Sequence, residues 1–188
     1  MARLPDMVPE KLTPAQRRVH DAIVSGPRGR VQGPLRVWLT SPDLADKAQA
    51  LGAFCRFGTS LPARLSELAI LVTGAHWQAG FEWFAHAPIG IAAGLDTGLV
   101  EAIRVGRTPS FARADEAAVH AFAHELMTRR RVSAATYARA IGELGETAVV
   151  DLVGILGYYS LISMTIVAFE IDLPAGQADP FADRPKLG

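Results

Sequence analysis

ELAILVTGAHWQAGFEWFAHAPIGIAAG, residues 67–94, consists of two apolar runs joined by a polar, glycine-punctuated corner, HWQAG. The first run carries one acid, Glu67. The second carries Glu82 and His86, four positions apart. On a helix that spacing puts both side chains on one face. Acids and a histidine inside apolar sequence are costly to bury unless they pair or do chemistry. If the runs form an antiparallel helical hairpin around the corner, Glu67 lies opposite Glu82 and His86. A carboxylate beside an imidazole raises its pKa and fixes its tautomer, which supplies a general acid or base near neutral pH. The spacing alone fits an ordinary polar pair at a helix interface equally well.

Outward from this hairpin the pattern is helical throughout. Thr13-Pro14 followed by Gln16 predicts a capped helix start, with a helix to about 24. Residues 25–35, SGPRGRVQGPL, are a breaker-rich loop carrying Arg28 and Arg30, with Arg36 just beyond. Such a loop is either a surface connection or the cap of a pocket that receives an anion. LRVWL at 35–39 is a short apolar segment. Ser41-Pro42 starts a helix to about Phe57, and further helices are expected at about 62–76, 81–93, 97–105, 113–130, 133–145 and 146–170. Pro88 removes a backbone donor, so it should kink its helix or release the carbonyl of Phe84. No stretch alternates as a strand does. The expected fold is all-α, a bundle of about seven or eight helices around the site-bearing hairpin. It divides into an extension (1–40), a helical domain (41–171) and a Pro/Asp/Gly-rich tail (172–188) that wraps a neighbour or frays.

Composition narrows the function. The chain has 188 residues, 49% of them apolar, with 19 basic and 19 acidic side chains and no net charge. No basic stripe is present, which argues against nucleic acid as a partner. The Arg129–Arg131 cluster suits a helix C-terminus. The apolar segment 148–169 has membrane-span length, but Asp151, Gly154, Gly157 and two tyrosines interrupt it. It reads as a buried helix, with no membrane partner and a cytoplasmic location. The single cysteine, Cys55, excludes a CxxC redox pair and reads as a core residue. Glu116, His120 and His124 share a helix face but cannot all close on one ion, so no metal site is expected. His76 at the corner and a hydroxyl of Tyr158 or Tyr159 are candidates to line a pocket. Arg36, Arg56 and Arg64 are candidates to hold a carboxylate.

SELAILVTGAHWQAGFEWFAHAPIGIAAGL, flanked by RFGTSLPARLSELAIL upstream and GYYSLISM downstream, resembles the core of the carboxymuconolactone decarboxylase/alkylhydroperoxidase D-like superfamily. The resemblance covers roughly 42–170. In the thiol peroxidases of that superfamily a glutamate is followed by a CxxC pair and, four residues after the second cysteine, a histidine. The matching positions here are Glu67, Ala79, Glu82 and His86. Both cysteines are replaced, and a disulfide relay needs two thiols. A thiol oxidoreductase, disfavoured without CxxC, and a non-catalytic oligomeric binding protein are the alternatives to what the resemblance implies, the cysteine-free, decarboxylase-like branch. That is an all-helical, cofactor-independent enzyme, assembled as trimers or hexamers, that removes carbon dioxide from a small carboxylated lactone in aromatic catabolism. It implies Glu67, Glu82 and His86 as catalytic residues, with Arg36, Arg64, His76, Trp83 and Tyr158 around the substrate.

Overall fold

The computed structural model describes residues 3–5 and 7–185, and these contain helices and turns but no strand. After a short 3-10 turn at Pro9–Lys11, nine α-helices follow: α1 (Pro14–Ser25), α2 (Pro34–Trp38), α3 (Pro42–Phe57), α4 (Ala63–His76), α5 (Gly80–Ala92), α6 (Thr97–Arg104), α7 (Ala114–Arg129), α8 (Ala134–Leu144) and α9 (Glu146–Ala168). The expected all-α bundle is the one observed. The additional element is α2, a short helix in the segment read only as apolar.

Local sequence sets the boundaries. The Thr13 hydroxyl accepts from Gln16 N at 3.3 Å, while the Gln16 side chain accepts from Thr13 N at 2.9 Å, a reciprocal capping box. Asp96 and Ser133 cap α6 and α8 through Leu99 N and Thr136 N. Ser41 makes no side-chain cap, and α3 begins on Pro42 alone. Pro88 does not end α5, which continues through it to Ala92.

Helix α4 is the axis of the molecule. Every residue from Leu65 to Ala75 is buried, because α5, α7 and α9 all pack on it. A helix surrounded in this way needs no polar face, which is why this stretch is apolar on all sides. Three residues, Trp77–Ala79, turn the chain from α4 into α5, with Gln78 at φ 49°. Gly74 then faces Glu82, and Gly90 faces Glu67. This crossed pairing is that of an antiparallel hairpin. Helix α9 buries Leu152, Ile155, Tyr158, Tyr159 and Ile162, but leaves Val150, Val153, Met164 and Val167 exposed. It is long and apolar enough to cross a membrane by length and composition, yet more than half of its most apolar window is buried within the bundle.

The C-terminal segment is docked on its own chain rather than frayed. Phe181 is fully buried, edge-on to Trp83 with ring centroids 5.4 Å apart. Arg184 Nη1 donates to the carbonyls of Ala75 (3.0 Å) and Arg104 (3.2 Å), and Gln78 Nε2 donates to Pro185 O at 2.8 Å. One aromatic in a polar tail makes the difference: burying a phenylalanine stabilises by about 1.5–3 kcal/mol, and the arginine satisfies carbonyls at helix ends.

Candidate active site

The hairpin delivers its three polar residues to one point. His86 Nδ1 lies 2.7 Å from Glu67 Oε2, and His86 Nε2 lies 3.0 Å from Glu82 Oε1. All three side chains are nearly inaccessible to solvent. The contact to Glu67 is a hydrogen bond. The contact to Glu82 is close enough for charge attraction but is not aligned as one, and Glu82 Oε1 has no hydrogen-bond partner among the described residues. Burial works against the imidazolium, but the charge of Glu82 and the hydrogen bond to Glu67 outweigh it. The His86 pKa rises to about 9. The ring is also held edge-on by Tyr159, 5.2 Å between centroids.

A cavity of about 210 Å³ opens on this pair. Glu82, His86, Tyr158, Tyr159 and Ile162 form its inner wall, and Arg28, Arg30, Gln32 and Arg56 its outer one. Glu67 is absent from the wall; it stands behind His86 and reaches the cavity only through the imidazole. A second, larger cavity of about 750 Å³ lies beyond, lined by Arg36, Phe84, Ile89 and Phe169 among others. Arg30, Gln32, Arg56, Phe81 and Ala85 line both and stand between them.

The loop 25–35 supplies all of the outer wall but Arg56, which comes from α3, because it folds back over α3 and α5. Gly33, at φ 53°, adopts a conformation that favours glycine, and a Cβ there would strike the Phe81 ring at 2.4 Å. Gly52 on α3 gives way in the same manner. A Cβ there would sit 2.0 Å from Tyr158 Oη and 2.4 Å from Arg28 Nη2. The space it leaves holds a hydrogen bond from Arg28 Nη2 to Tyr158 Oη of 3.2 Å. Burial pushes the Tyr158 hydroxyl up to about 12, so it stays protonated.

Five of the eight residues expected at the site lie at or next to it. Glu82, His86 and Tyr158 line the smaller cavity, Glu67 supports it, and Arg36 lines the larger one. Arg64 does not reach either cavity. It is held by Asp115 at 2.6 Å and by Glu116, two acids of α7 that neutralise it. His76 lies edge-on to Trp77, and burial lowers its pKa. Trp83 faces Phe181 on the opposite side of α5. Neither lines a cavity. Arg28 and Gln32 join the site from the arginine-rich loop, whose sequence marks it as a candidate anion cap without pointing to either side chain. Cys55 is fully buried and lines neither cavity, and burial pushes its thiol pKa up.

No known family profile matches the sequence, and no curated protein matches it. Solved structures do. An uncharacterized peroxidase-related protein from Silicibacter sp. TM1040 is 15% identical, covers 94% of this chain and 95% of its own, and superposes with a TM-score of 0.73. The debrominase Bmp8, as a cysteine-to-alanine variant in complex with 2,3,4-tribromopyrrole, is 16% identical, covers 97% of both chains and also gives 0.73. A protein of unknown function from Agrobacterium tumefaciens, a candidate antioxidant defence protein AhpD, is 14% identical, covers 77% of this chain and 99% of its own, and gives 0.67. At these identities the likeness concerns the backbone alone, and on that ground the chain has the AhpD-like all-helical fold.

Proposed function

We propose that this protein is a cofactor-independent acid/base enzyme that decarboxylates a small carboxylated lactone, in the manner of the carboxymuconolactone decarboxylases. The observation that carries the reading is His86 on the wall of the smaller cavity, buried between two carboxylates that hold its pKa up at about 9. In the reaction, the bond between the ring carbon and the carboxylate breaks. Carbon dioxide leaves, and its electron pair passes into the conjugated lactone as a dienolate. The His86 imidazolium then gives its proton to carbon and is recharged from solvent. A cation beside the developing charge favours the transition state. Glu82 shares the cavity wall and stabilises the imidazolium. Glu67 is a positioning residue, since it touches His86 and not the cavity.

Peroxide reduction through a thiol relay is the alternative suggested by the names of the structural neighbours. Ala79 and Glu82 stand where a CxxC pair would, and the one cysteine is sealed in the core away from both cavities. We also read the exposed apolar residues Val150, Val153, Met164 and Val167 of α9 as the face on which copies of this chain assemble into a trimer or hexamer.

The test is a screen of purified protein against carboxylated lactones and related β-keto acids, following ultraviolet absorbance and carbon dioxide release. Turnover that is lost in His86→Gln is expected. Consumption of peroxide with thiol oxidation, or no release of carbon dioxide from any of these acids, would overturn the reading.

A further inference from the structure

Two residues that line the smaller cavity each carry a buried side-chain atom with no hydrogen bond among the described residues: Arg28 at Nε, and Glu82 at Oε1, which lies 3.0 Å from His86 Nε2 as an ion pair. They are opposite in kind. A guanidinium N–H only donates, and a carboxylate oxygen accepts. A buried polar atom left without a hydrogen bond is costly, and more so on a charged group. A cavity with one of each on its wall is therefore organised for something that fits between them.

The state of Arg28 points the same way. Arg64 is held by Asp115 and Glu116, and Arg104 by Glu101 and Asp183. No carboxylate pairs with Arg28 among the described residues, although it is half-buried. Its guanidinium is nonetheless fixed. Nη2 donates to Tyr158 Oη in the space that Gly52 leaves open. A cation held in place, partly desolvated and without a counter-ion is prepared for an anion that arrives from outside. Arg30 and Arg56 on the outer wall add positive charge along the entry. Between Arg28 and Glu82 the walls are apolar or aromatic: Leu35, Phe81, Tyr159 and Ile162. The volume is that of about seven water molecules at liquid density, the size of one ring bearing a short acid chain.

We propose that Arg28 and Glu82 bracket the ligand, which is a small hydroxy acid with an apolar body: its carboxylate accepts from Arg28 and its hydroxyl donates to the Glu82 carboxylate. The inference rests on the functional reading above in placing substrate against Glu82 and His86. It narrows that reading to acids that carry a hydroxyl, or an enolisable carbonyl that presents one. It also assigns the carboxylate to Arg28 rather than to Arg36, Arg56 or Arg64.

Isothermal titration with three probes of matched body tests it without requiring turnover. Mandelate offers both groups, phenylacetate only the carboxylate, and benzyl alcohol only the hydroxyl. Hydrogen bonds to charged partners discriminate by roughly ten- to a hundredfold. Mandelate should therefore bind at least tenfold more tightly than either other probe. Arg28→Gln should weaken mandelate and phenylacetate alike and leave benzyl alcohol unchanged. Glu82→Gln should bring mandelate down towards phenylacetate. Arg36→Gln, at a side chain that lines only the larger cavity, should alter none of them. Arg28→Lys, which keeps the charge, should restore part of the loss, and thermal melts of each variant separate misfolding from lost binding. Equal affinity for mandelate and phenylacetate, undiminished mandelate binding in Arg28→Gln, or no measurable binding of any probe overturns the inference. Decarboxylation that is indifferent to Arg28 sinks this inference and leaves the reaction standing. Probe discrimination without carbon dioxide release from any acid does the reverse.

Discussion

Glu67 and His86, nineteen positions apart in sequence, share a hydrogen bond of 2.7 Å that ties the first helix of the central hairpin to the second. The bond is made at Nδ1, so the opposite ring nitrogen is turned towards Glu82 and the cavity. One contact thus fixes both the packing of two helices and the direction in which the imidazole presents its proton.

Glu67→Gln keeps the volume and an accepting oxygen but removes a charge. Because Glu67 does not line the cavity, kcat should fall by roughly a hundredfold with KM little altered. The basic limb of the pH–rate profile should move to lower pH as the imidazolium loses one carboxylate. Steady-state kinetics across pH check this. A raised KM with unchanged kcat would place Glu67 on the substrate instead.

Stability should depend on pH through two histidines of opposite sign. His86 is raised from 6.5 to about 9 in the fold, so its contribution is complete below about 6.5 and is lost as pH rises through 9. His120 is lowered to about 4, by burial first and by His124 second, so it opposes folding as pH falls from 6.5 through 4. Melting temperature should peak near pH 6.5 and decline on both sides. His86→Gln should flatten the alkaline decline and leave the acid one.

Gly52→Ala introduces one methyl group where Tyr158 Oη and Arg28 Nη2 already meet. Overpacking of this kind costs about 1–3 kcal/mol. The variant should melt earlier and bind carboxylates more weakly than Arg36→Gln does. Urea titration and the probe set above measure the two effects separately.

The hairpin and its three polar residues were legible because each signal is local. The i,i+4 spacing sets Glu82 and His86 on one face, and a three-residue corner forces the antiparallel return that brings Glu67 across. What failed depends on distant partners. Nothing near Arg64 in sequence shows that Asp115 and Glu116 neutralise it. Nothing near Trp83 shows that Phe181 covers it, so the aromatic at the site was assigned to the wrong side of α5. Arg28 gathers at the cavity because Gly33 and Gly52 permit close approach, and a glycine's absent side chain carries no pattern to read. The caps at Thr13, Asp96 and Ser133 were again local, and they mark helix starts well.

Phe181→Ala removes the side chain that closes the far face of α5. Truncating a buried phenylalanine costs about 3–5 kcal/mol. Loss of that stability, with mandelate affinity retained, is expected from denaturation and titration, because Trp83 and Phe181 lie on the opposite side of α5 from the cavity.

The proposed assembly on the exposed side of α9 can be tested by one substitution. Light scattering of the unaltered protein should give the mass of a trimer or hexamer, and Val153→Arg, which places a charge among Val150, Met164 and Val167, should give that of a monomer with the helical content unchanged. Light scattering and circular dichroism read these two properties. A monomer mass for the unaltered protein, or an unchanged mass in the variant, would overturn assembly on this face.

The Nδ1 proton between His86 and Glu67 lies between two nearly inaccessible side chains, and this makes it a natural gauge of the protein's breathing. A short, charge-assisted hydrogen bond deshields its proton into the far-downfield region of the NMR spectrum, clear of all amides. Its exchange with solvent requires α4 and α5 to part. The lifetime of that single resonance therefore counts how often the hairpin opens, and links the integrity of the whole bundle to one spectral line.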